Sequence, residues 1–241
     1  MAYERLVKKL EENRNGGLRE SYQTYVIKCE AALKIIEAQV NNIKASFVCV
    51  GERSPLLDVK YRTKTLSSTI EKATRKKVSL DFLSIKERIR DIAGARIITL
   101  FEDDIYNVER CILKIPGVTL YDRKDFVETP KRNGYRSLHL HVKVEISNPI
   151  SGSESIPVEI QIRSEAMHLW ASLEHIVKYK NPKPLPEAEE KLLGVAKSLM
   201  IYDKMAMELR NASLLSEAEI RNALDGHKGG LNENDIYAAL D

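Results

Sequence analysis

The amino-acid sequence predicts an α+β fold in which helices flank a β-sheet. Apolar residues recur at helical spacing near both ends, and the spacing changes to strict alternation between residues 138 and 163. A third observation is the apolar run over residues 95–101, which is typical of a buried strand. Strands in the middle of a chain with amphipathic helices on either side form a sheet that buries one face against those helices.

The two terminal helices are predicted from their apolar stripes. The first stripe, at spacings of four and three, consists of Tyr22, Val26, Cys29, Leu33, Ile36, Val40 and Ile43. The second follows the proline-rich breaker at residues 181–186 and consists of Leu192, Val195, Leu199, Tyr202, Ala206 and Leu209. We therefore expect an N-terminal helical region over residues 1–45 and a C-terminal helix over residues 187–212.

Residues 213–241 differ in character and are expected to form a tail with short helices. The segment from Ser216 to Glu219 matches a capping box, which marks the N-terminus of a helix. The glycine-containing run at 225–230 indicates a flexible link to a last helix near residues 235–240.

The central region, residues 46–180, contains the predicted strands. Residues 138–146 and 156–163 alternate apolar with polar residues, and the connection between them is rich in Asn, Pro, Gly and Ser. They predict an antiparallel hairpin with one polar face. The remaining predicted elements are a buried strand at 95–101, a helix at 104–113 and a strand at 118–121.

The composition is that of an ordinary globular protein and excludes several classes. The 241 residues are 43% hydrophobic and 30% charged, with a formal net charge of +3. No apolar run reaches the roughly 18 residues that a membrane span needs, and the charges within Met1–Leu10 argue against a signal peptide. Three cysteines without CxxC spacing favour a reducing compartment over a disulfide framework. We expect a cytoplasmic protein without a membrane partner.

Two carboxylates are candidates for catalysis. Alternation places Glu159 on the polar face of its strand with Gln161 and Arg163, and Asp91 stands just before the strand at 95–101. Carboxylates from two strands can hold one Mg²⁺ whose other ligands are water and substrate phosphates. The alternatives are a solvent-exposed strand face with a cross-strand salt bridge for Glu159, and a helix cap or turn for Asp91.

Cations are concentrated between Lys60 and Lys77, against the single acid Glu71. The spacings of four, four and three would align four residues on one helical face: Lys64, Ser68, Lys72 and Arg75. No GxxxxGK[ST] motif occurs, so phosphates would have to be bound by side chains such as these. RNA backbone binding and a solvated basic surface are the alternatives.

A loop over residues 130–137 leads into the strand at 138 and presents Tyr135 as an exposed ring among cations. Tyrosine in such a setting can stack on a nucleobase while the cations hold phosphates, and ordinary packing is the alternative. His139 and His141 lie on one strand without a third ligand near them in sequence. This pattern favours a structural or hydrogen-bonding role over zinc binding.

Taken in order, these blocks resemble the synthetase domain of the RelA/SpoT homologue superfamily, and within it the small alarmone synthetases. The motifs that carry the resemblance are Tyr61-Arg62-Thr63-Lys64, Asp91-Ile92-Ala93-Gly94-Ala95-Arg96, Asn133-Gly134-Tyr135-Arg136-Ser137-Leu138-His139, Val158-Glu159-Ile160-Gln161-Ile162-Arg163 and Ala166-Met167-His168-Leu169-Trp170-Ala171-Ser172-Leu173-Glu174-His175. The resemblance spans residues 20–210, and the number and order of the motifs make it specific.

The resemblance implies a mixed-sheet, nucleotidyltransferase-like fold and a stringent-response enzyme that transfers pyrophosphate from ATP to the 3′-hydroxyl of GDP or GTP. It implies that Asp91 and Glu159 are catalytic and bind Mg²⁺, and that Glu159 accepts the proton of the attacking hydroxyl. Arg62 and Arg96 would lie on either side of adenine, and Tyr135 would stack on guanine. The other implied ATP-binding residues are Lys64, Ser68, Lys72 and Arg75, and the other acceptor-binding residues are Lys131, Asn133, His139, Gln161 and His168.

The sequence also departs from the family pattern. The His-Asp pair of the hydrolase domain in long family members is absent, which predicts a synthesis-only enzyme. Thr65 stands where proline is frequent, and His168 stands where asparagine is expected, which bears on the handling of the acceptor. Small family members often form homotetramers through their terminal helices. The two apolar stripes fit either such an assembly or packing on the sheet.

Two other functions share these motifs. A toxin-type relative would pyrophosphorylate the 3′ end of tRNA with the same site. A modest basic surface for the acceptor stem would consist of Arg123, Lys124, Lys131 and Arg132. A catalytically inactive nucleotide- or RNA-binding module is the other alternative, but it would not need both Asp91 and Glu159.

Overall fold

The computed structural model describes residues 17–149, 152–180 and 186–226, with only the backbone described at 178–180 and 214–226. The elements in chain order are α1 (Leu18–Cys49), β1 (Leu56–Thr63), α2 (Leu66–Arg75), α3 (Phe82–Arg88), β2 (Ala93–Thr99), α4 (Asp104–Ile112), β3 (Val118–Asp125), β4 (Leu138–Asn148), β5 (Gly152–Ser164), α5 (Glu165–Lys180) and α6 (Pro186–Gly226). The expectations for Met1–Leu10, for the breaker at 181–185 and for a helix at 235–240 lie outside the described residues.

The five strands form one mixed sheet in the order β1-β2-β5-β4-β3. Strands β2 and β5 are parallel, and the other neighbouring pairs are antiparallel. The predicted hairpin is confirmed, because β4 pairs with β5 from Leu138 opposite Ile162 to Asn148 opposite Gly152. The last of the described strands is therefore the central strand of the sheet.

One face of the sheet is apolar and forms the core under α1. The inward residues of β5, which are Ile156, Val158, Ile160 and Ile162, have no solvent exposure. Helix α1 crosses β1, β2, β4 and β5 and buries its own stripe, including Cys29 and Ile36. Each of these side chains contributes about 1.5–3 kcal/mol through burial. The polar face opposite is thereby left free to carry a site.

The strand register aligns polar residues in two rows across that opposite face. One row runs through Arg62, Gly94, Glu159 and His141, which are cross-strand partners in turn. The next row is made of Lys60, Arg96, Gln161 and His139. Because side chains two residues apart on a strand point the same way, both rows face one side of the sheet.

The basic segment is not one helix, contrary to the predicted alignment of Lys64 with Ser68, Lys72 and Arg75. Lys60 and Arg62 lie on β1, Lys64 follows the end of that strand, and α2 begins only at Leu66. Thr65 is the N-cap of α2, and its side chain accepts a hydrogen bond from the Ser68 backbone amide. A capping threonine satisfies one of the free N–H groups of the first turn, which explains where the helix begins.

The C-terminal helix extends beyond its predicted end. Helix α6 runs without interruption from Pro186 to Gly226, so Ser216 lies inside a helix rather than at the start of a new one. The segment 211–225 contains neither proline nor glycine and is rich in Ala, Leu and Glu, which favour continuation of a helix over a break. None of the described helices is long and apolar enough to cross a lipid bilayer.

Candidate active site

A cleft of about 250 Å³ opens on the polar face of the sheet where β1, β2 and β5 lie side by side. Its lining consists of Lys60, Tyr61, Arg62, Asp91, Gly94, Ala95, Arg96, Glu159 and Gln161. Both predicted carboxylates and both predicted adenine-binding arginines are therefore in one cavity. Gly94 lies between Arg62 and Glu159 in its row, and the absence of a side chain there keeps the floor of the cleft open.

Asp91 precedes β2 and is held by two lysines. The Nζ atoms of Lys64 and Lys72 both contact Oδ2, with Lys72 at 2.5 Å. Burial alone would raise the pKa of Asp91, but the hydrogen bonds and charges of the two lysines outweigh it and lower the pKa. The second oxygen, Oδ1, is buried and has no hydrogen-bond partner among the described residues. Asp91 is thus an ionised carboxylate with one coordinating oxygen unused.

Glu159 lies on the central strand β5 and is held by the side chains of His139 and Gln161. Its Oε1 is 3.0 Å from His139 Nδ1 and 3.3 Å from Gln161 Nε2. Burial opposes ionisation, but the hydrogen bonds from His139 and Gln161 dominate and lower the pKa of Glu159 to about 2. Each of these contacts uses Oε1.

His139 bridges Glu159 and Tyr135. Its Nδ1 faces the Glu159 carboxylate, and its Nε2 is 2.7 Å from the Tyr135 hydroxyl. Because an ionised carboxylate can only accept a hydrogen bond, Nδ1 carries a proton and donates to Glu159. Nε2 and the Tyr135 hydroxyl share the second hydrogen bond. The two predicted halves of the site are joined by this histidine.

Tyr135 is half-buried rather than exposed, which corrects the expectation of an open ring at the mouth of the loop. Its ring makes edge contacts with Phe126, His139 and Trp170 at centroid distances of 6.0, 5.9 and 6.1 Å. The ammonium of the exposed Lys131 lies 4.7 Å from the ring centroid. The aromatic cluster fixes the plane of the ring, while Lys131 is a long side chain that can move aside.

The loop backbone around Tyr135 is fixed from both sides. Asn133 accepts a hydrogen bond from the Tyr135 amide at 3.2 Å and donates to Glu174 of α5 at 2.6 Å. Gly134 has a φ of 88°, and a Cβ atom there would lie 2.5 Å from the Cβ of Ala196 on α6. Only glycine fits this left-handed conformation and close approach.

The two arginines of the donor side lie on adjacent strands. Arg62 on β1 is exposed, whereas Arg96 on β2 is half-buried. Burial, followed by the charge of Arg62, lowers the pKa of Arg96. Two guanidinium groups so placed form a planar, cationic surface that suits an aromatic base or a phosphate.

Ser68, Arg75 and His168 are among the predicted residues that do not line the cleft. Ser68 and Arg75 are on the exposed surface of α2, and Ser68 is occupied by hydrogen bonds with Thr65. His168 lies on the first turns of α5, where burial and the charge of Arg163 lower its pKa. Its Nδ1 is buried without a partner among the described residues.

Arg163 lies beside the cleft, and the sequence predicted only its place on the polar face with Glu159 and Gln161. It is 3% exposed, donates to Gln161 Oε1 at 2.5 Å, and its guanidinium carbon lies 5.8 Å from the Tyr135 ring centroid. Burial, and among its neighbours the charge of Arg96, lower its pKa. A buried cation among other cations attracts an anion. The available signal was its position on the same face as Glu159, two residues beyond Gln161.

Comparisons with known proteins agree with this geometry. The family model described as "Region found in RelA / SpoT proteins" matches residues 61–184. Among curated proteins, GTP pyrophosphokinase YwaC of Bacillus subtilis (strain 168) is 33% identical over 195 residues, which is 75% of this chain and 92% of the relative. GTP pyrophosphokinase YjbM of the same organism is 33% identical over 168 residues, covering 70% and 78%.

Solved structures agree as well. The small alarmone synthetase 1 from Bacillus subtilis, bound to its product pppGpp, superposes with a TM-score of 0.73 at 30% identity, covering 80% of this chain and 98% of the other. A GTP pyrophosphokinase family protein from Streptococcus pneumoniae gives 0.74 at 27% identity, covering 82% and 96%. The predicted resemblance and the predicted mixed-sheet α+β fold are both confirmed. The chain belongs to the RelA/SpoT family.

Proposed function

We propose that the protein is a (p)ppGpp synthetase, a GTP/GDP diphosphokinase that transfers pyrophosphate from ATP to the 3′-hydroxyl of GDP or GTP. The observation that carries the proposal is the convergence of Asp91, Glu159, Arg62 and Arg96 in one cleft. The relatives that are named GTP pyrophosphokinases and the neighbour bound to pppGpp support the substrate class. The chain covers most of each of those proteins.

On the donor side, Arg62 and Arg96 hold adenine between their guanidinium planes. Lys64 and Lys72, whose ammonium groups already converge at Asp91, extend toward the phosphates of ATP. Attack occurs at the β-phosphorus, so negative charge develops on oxygens that these cations neutralise. Ser68 and Arg75 contribute along the exposed side of α2 when the phosphate chain reaches that far.

Mg²⁺ fits the two carboxylates. Asp91 has a buried oxygen without a partner among the described residues, and Glu159 makes its described contacts through one oxygen only. Hard oxygen ligands in small number suit Mg²⁺, which takes the rest of its ligands from water and phosphates. Its chemical contribution when bound is to neutralise charge on the transferred group.

On the acceptor side, guanine stacks on Tyr135 after Lys131 moves off the ring. Lys131, Asn133, Gln161 and His168 surround the nucleotide, and His139 holds Glu159 toward the 3′-hydroxyl. We therefore assign Glu159 to orienting the attacking hydroxyl and receiving its proton.

The tRNA alternative gains no support from the basic surface on which it depended. Arg123 is paired with Glu109 at 2.6 Å and with Asp125 at 3.1 Å. Lys124 lies 3.4 Å from Asp122. Half of the expected surface is thus neutralised by neighbouring acids, which weakens its attraction for an RNA backbone. We assign the acceptor as a free nucleotide.

We further propose that the protein is cytoplasmic and a homotetramer. All three cysteines are free thiols, as is usual in a reducing compartment. Helix α6 exposes Ile201, Met205 and Leu209 at 59%, 62% and 71%. These residues are spaced at i, i+4 and i+8, which makes one continuous apolar stripe of the kind that marks protein contacts.

A transfer assay tests the enzymatic proposal. Purified protein with Mg²⁺ and ATP labelled at the γ-phosphate is offered GDP, GTP or deacylated tRNA in parallel, and the products are separated. We expect label on the guanosine nucleotides, since the γ-phosphate travels with the transferred pyrophosphate. Label on tRNA alone would contradict the assigned acceptor, and no transfer to any of the three would contradict the enzyme itself.

A further inference from the structure

Helix α6 packs directly onto the loop that carries Tyr135. The Trp170 Nε1 group of α5 donates to the Leu192 carbonyl of α6 at 2.9 Å. Gly134 approaches Ala196 so closely that a Cβ atom would not fit between them. The loop and the helix are therefore in close contact at Gly134, the residue that precedes Tyr135.

Buried charges form the polar part of this contact. Asp203 on α6 is 1% exposed, and Arg136, the residue that follows Tyr135, is 7% exposed. Arg136 Nη1 is 3.4 Å from Asp203 Oδ2, and Arg136 Nη2 is 2.7 Å from Glu102 Oε2. Asp203 Oδ2 also accepts a hydrogen bond from Ser164 Oγ at 3.1 Å. One carboxylate thus connects α6 both to the Tyr135 loop and to the end of β5.

Burying the charges of Arg136, Asp203 and Glu102 together carries a desolvation cost. Two carboxylates share one guanidinium, and burial raises the pKa of Asp203 to about 6. Replacing buried ion pairs with well-packed apolar residues is often neutral or stabilising, so such a cluster is weak evidence for stability as its purpose. What the cluster does specify is the position of Arg136, because a guanidinium has fixed donor directions that a methyl group lacks.

We propose that Asp203 is a positioning residue for the acceptor nucleotide, which acts through Arg136 to fix the loop that orients Tyr135. The inference rests on the proposed function, since it presumes that guanine stacks on Tyr135. Helix α6 contributes no residue to the lining of the cleft. The proposal gives this helix a role in the affinity for the acceptor nucleotide. The donor side, built from β1, α2 and the start of β2, has no contact with Asp203 and is unaffected.

Trp170 allows the test to be made without turnover. It is the single tryptophan of the chain, and its ring centroid lies 6.1 Å from that of Tyr135. Its fluorescence therefore reports GDP binding. We expect Asp203→Ala to raise both the Kd and the KM for GDP by roughly five- to tenfold, within the range of coupling in charged networks. The KM for ATP should remain within about twofold of the wild-type value.

Three further variants make the test specific. Asp203→Asn keeps an oxygen that accepts from Arg136 and Ser164, so it should restore most of the GDP affinity. Lys204→Ala, at the adjacent exposed position of α6, should match the wild type. Arg136→Met should reproduce the selective loss of GDP affinity. Combining it with Asp203→Ala should add little, because both substitutions remove the same Arg136–Asp203 contact.

The failures of the two proposals are distinguishable. Wild-type protein that neither binds GDP nor transfers pyrophosphate would contradict the proposed function. An active wild type would contradict the positioning role in either of two ways: Asp203→Ala leaves the GDP constants unchanged, or it raises the KM for GDP and ATP equally. Should Asp203→Ala fail to fold, Arg136→Met tests the selective loss in its place, and Asp203→Asn is the comparison variant that keeps the contact.

Discussion

His139 determines how the two carboxylates of the site differ. Asp91 is held by the ammonium groups of Lys64 and Lys72, whereas Glu159 is held by an imidazole and an amide. Both have a lowered pKa, but only Glu159 is connected to the acceptor side through Tyr135. This asymmetry supports our proposal that Asp91 serves the donor phosphates and Glu159 the attacking hydroxyl.

Glu159→Gln should abolish transfer while leaving the fold intact. The amide has nearly the same shape and still accepts from His139, but it has no negative charge for a metal or for the 3′-hydroxyl proton. We expect a loss of roughly 10²–10⁴ in kcat. The measurement is the transfer assay combined with thermal unfolding. Glu165→Gln, at an exposed position just beyond β5, serves as the matched control, and a loss of less than about tenfold in kcat for Glu159→Gln would refute the assignment.

Tyr135→Ala and Tyr135→Phe separate stacking from hydrogen bonding. Loss of the ring should cost roughly 1–3 kcal/mol of acceptor affinity, seen as a raised KM for GDP with the KM for ATP little changed. Tyr135→Phe keeps the ring but loses the 2.7 Å contact with His139. It should therefore retain acceptor affinity and lower kcat. Equal losses for GDP and ATP in Tyr135→Ala would argue against stacking.

At the scale of elements, the site depends on how strands and helices end. The α2 N-cap at Thr65 turns the chain so that Lys64 and Lys72 meet at Asp91. The loop before β4 is fixed by Gly134 against α6. These junctions, more than the regular parts of the elements, decide where the cations and the aromatic ring lie.

Gly134→Ala should destabilise the fold by about 1–3 kcal/mol, because it adds a strained φ and a clash with Ala196. Combining it with Ala196→Gly removes the clash but not the strain, so only part of the loss should return. Gly194→Ala is the control on the same helix, where a Cβ atom meets nothing within 4 Å. It should stabilise by up to about 1 kcal/mol. Urea denaturation measures all three, and a Gly134→Ala variant as stable as wild type would exclude the packing argument.

Asp203 predicts a pH dependence of stability. Its folded pKa of about 6 lies above the ordinary value of 3.8, so the folded state binds more protons than the unfolded state between pH 4 and 6. The contribution of Asp203 to the free energy of unfolding is therefore greatest below pH 4. It decreases by up to about 3 kcal/mol as the pH rises through 6. The groups facing it are Arg136, Glu102 and Ser164.

Asp203→Asn should remove this contribution. The difference in unfolding free energy between Asp203→Asn and wild type should rise in favour of the variant from pH 4 to pH 6 and then level off. Denaturation at a series of pH values measures it. A difference that is constant with pH would show that Asp203 titrates normally.

At the scale of the whole molecule, the sequence predicted the α+β class and the β4–β5 hairpin, but not strand β1, the strand order or the inner contacts of the site. Strict alternation identified β4, β5 and the face that carries Glu159, because a period of two directly reports sidedness. The sequence could not show that Lys64 lies before α2 rather than on it. Residues at four-residue spacing can also be distributed over a strand, a turn and the start of a helix. The sequence could not show that Arg163 is buried. Its burial arises in the folded structure, where the guanidinium contacts Gln161 and lies near the Tyr135 ring.

Association is the prediction that belongs to this scale. Met205→Glu places a charge in the exposed apolar stripe of α6 and should reduce a tetramer to smaller species without altering the cleft. Light scattering after gel filtration measures the mass of wild type and variant. Glu208→Gln, at another exposed position of α6, should leave the mass unchanged. A monomeric wild type would contradict the proposed tetramer.

The position of β5 in the sheet has a consequence for synthesis of the protein. Strands β1 and β2 form one antiparallel ribbon, β3 and β4 form another, and the strand between them is made last. A chain emerging from the ribosome therefore exposes the inner edges of two ribbons until residue 164 is free, a period of vulnerability to aggregation. Glu159 is on that closing strand, so the growing chain acquires its second carboxylate only when the sheet becomes continuous. On the proposed role of Glu159, a nascent chain that ends before this strand has no transfer activity.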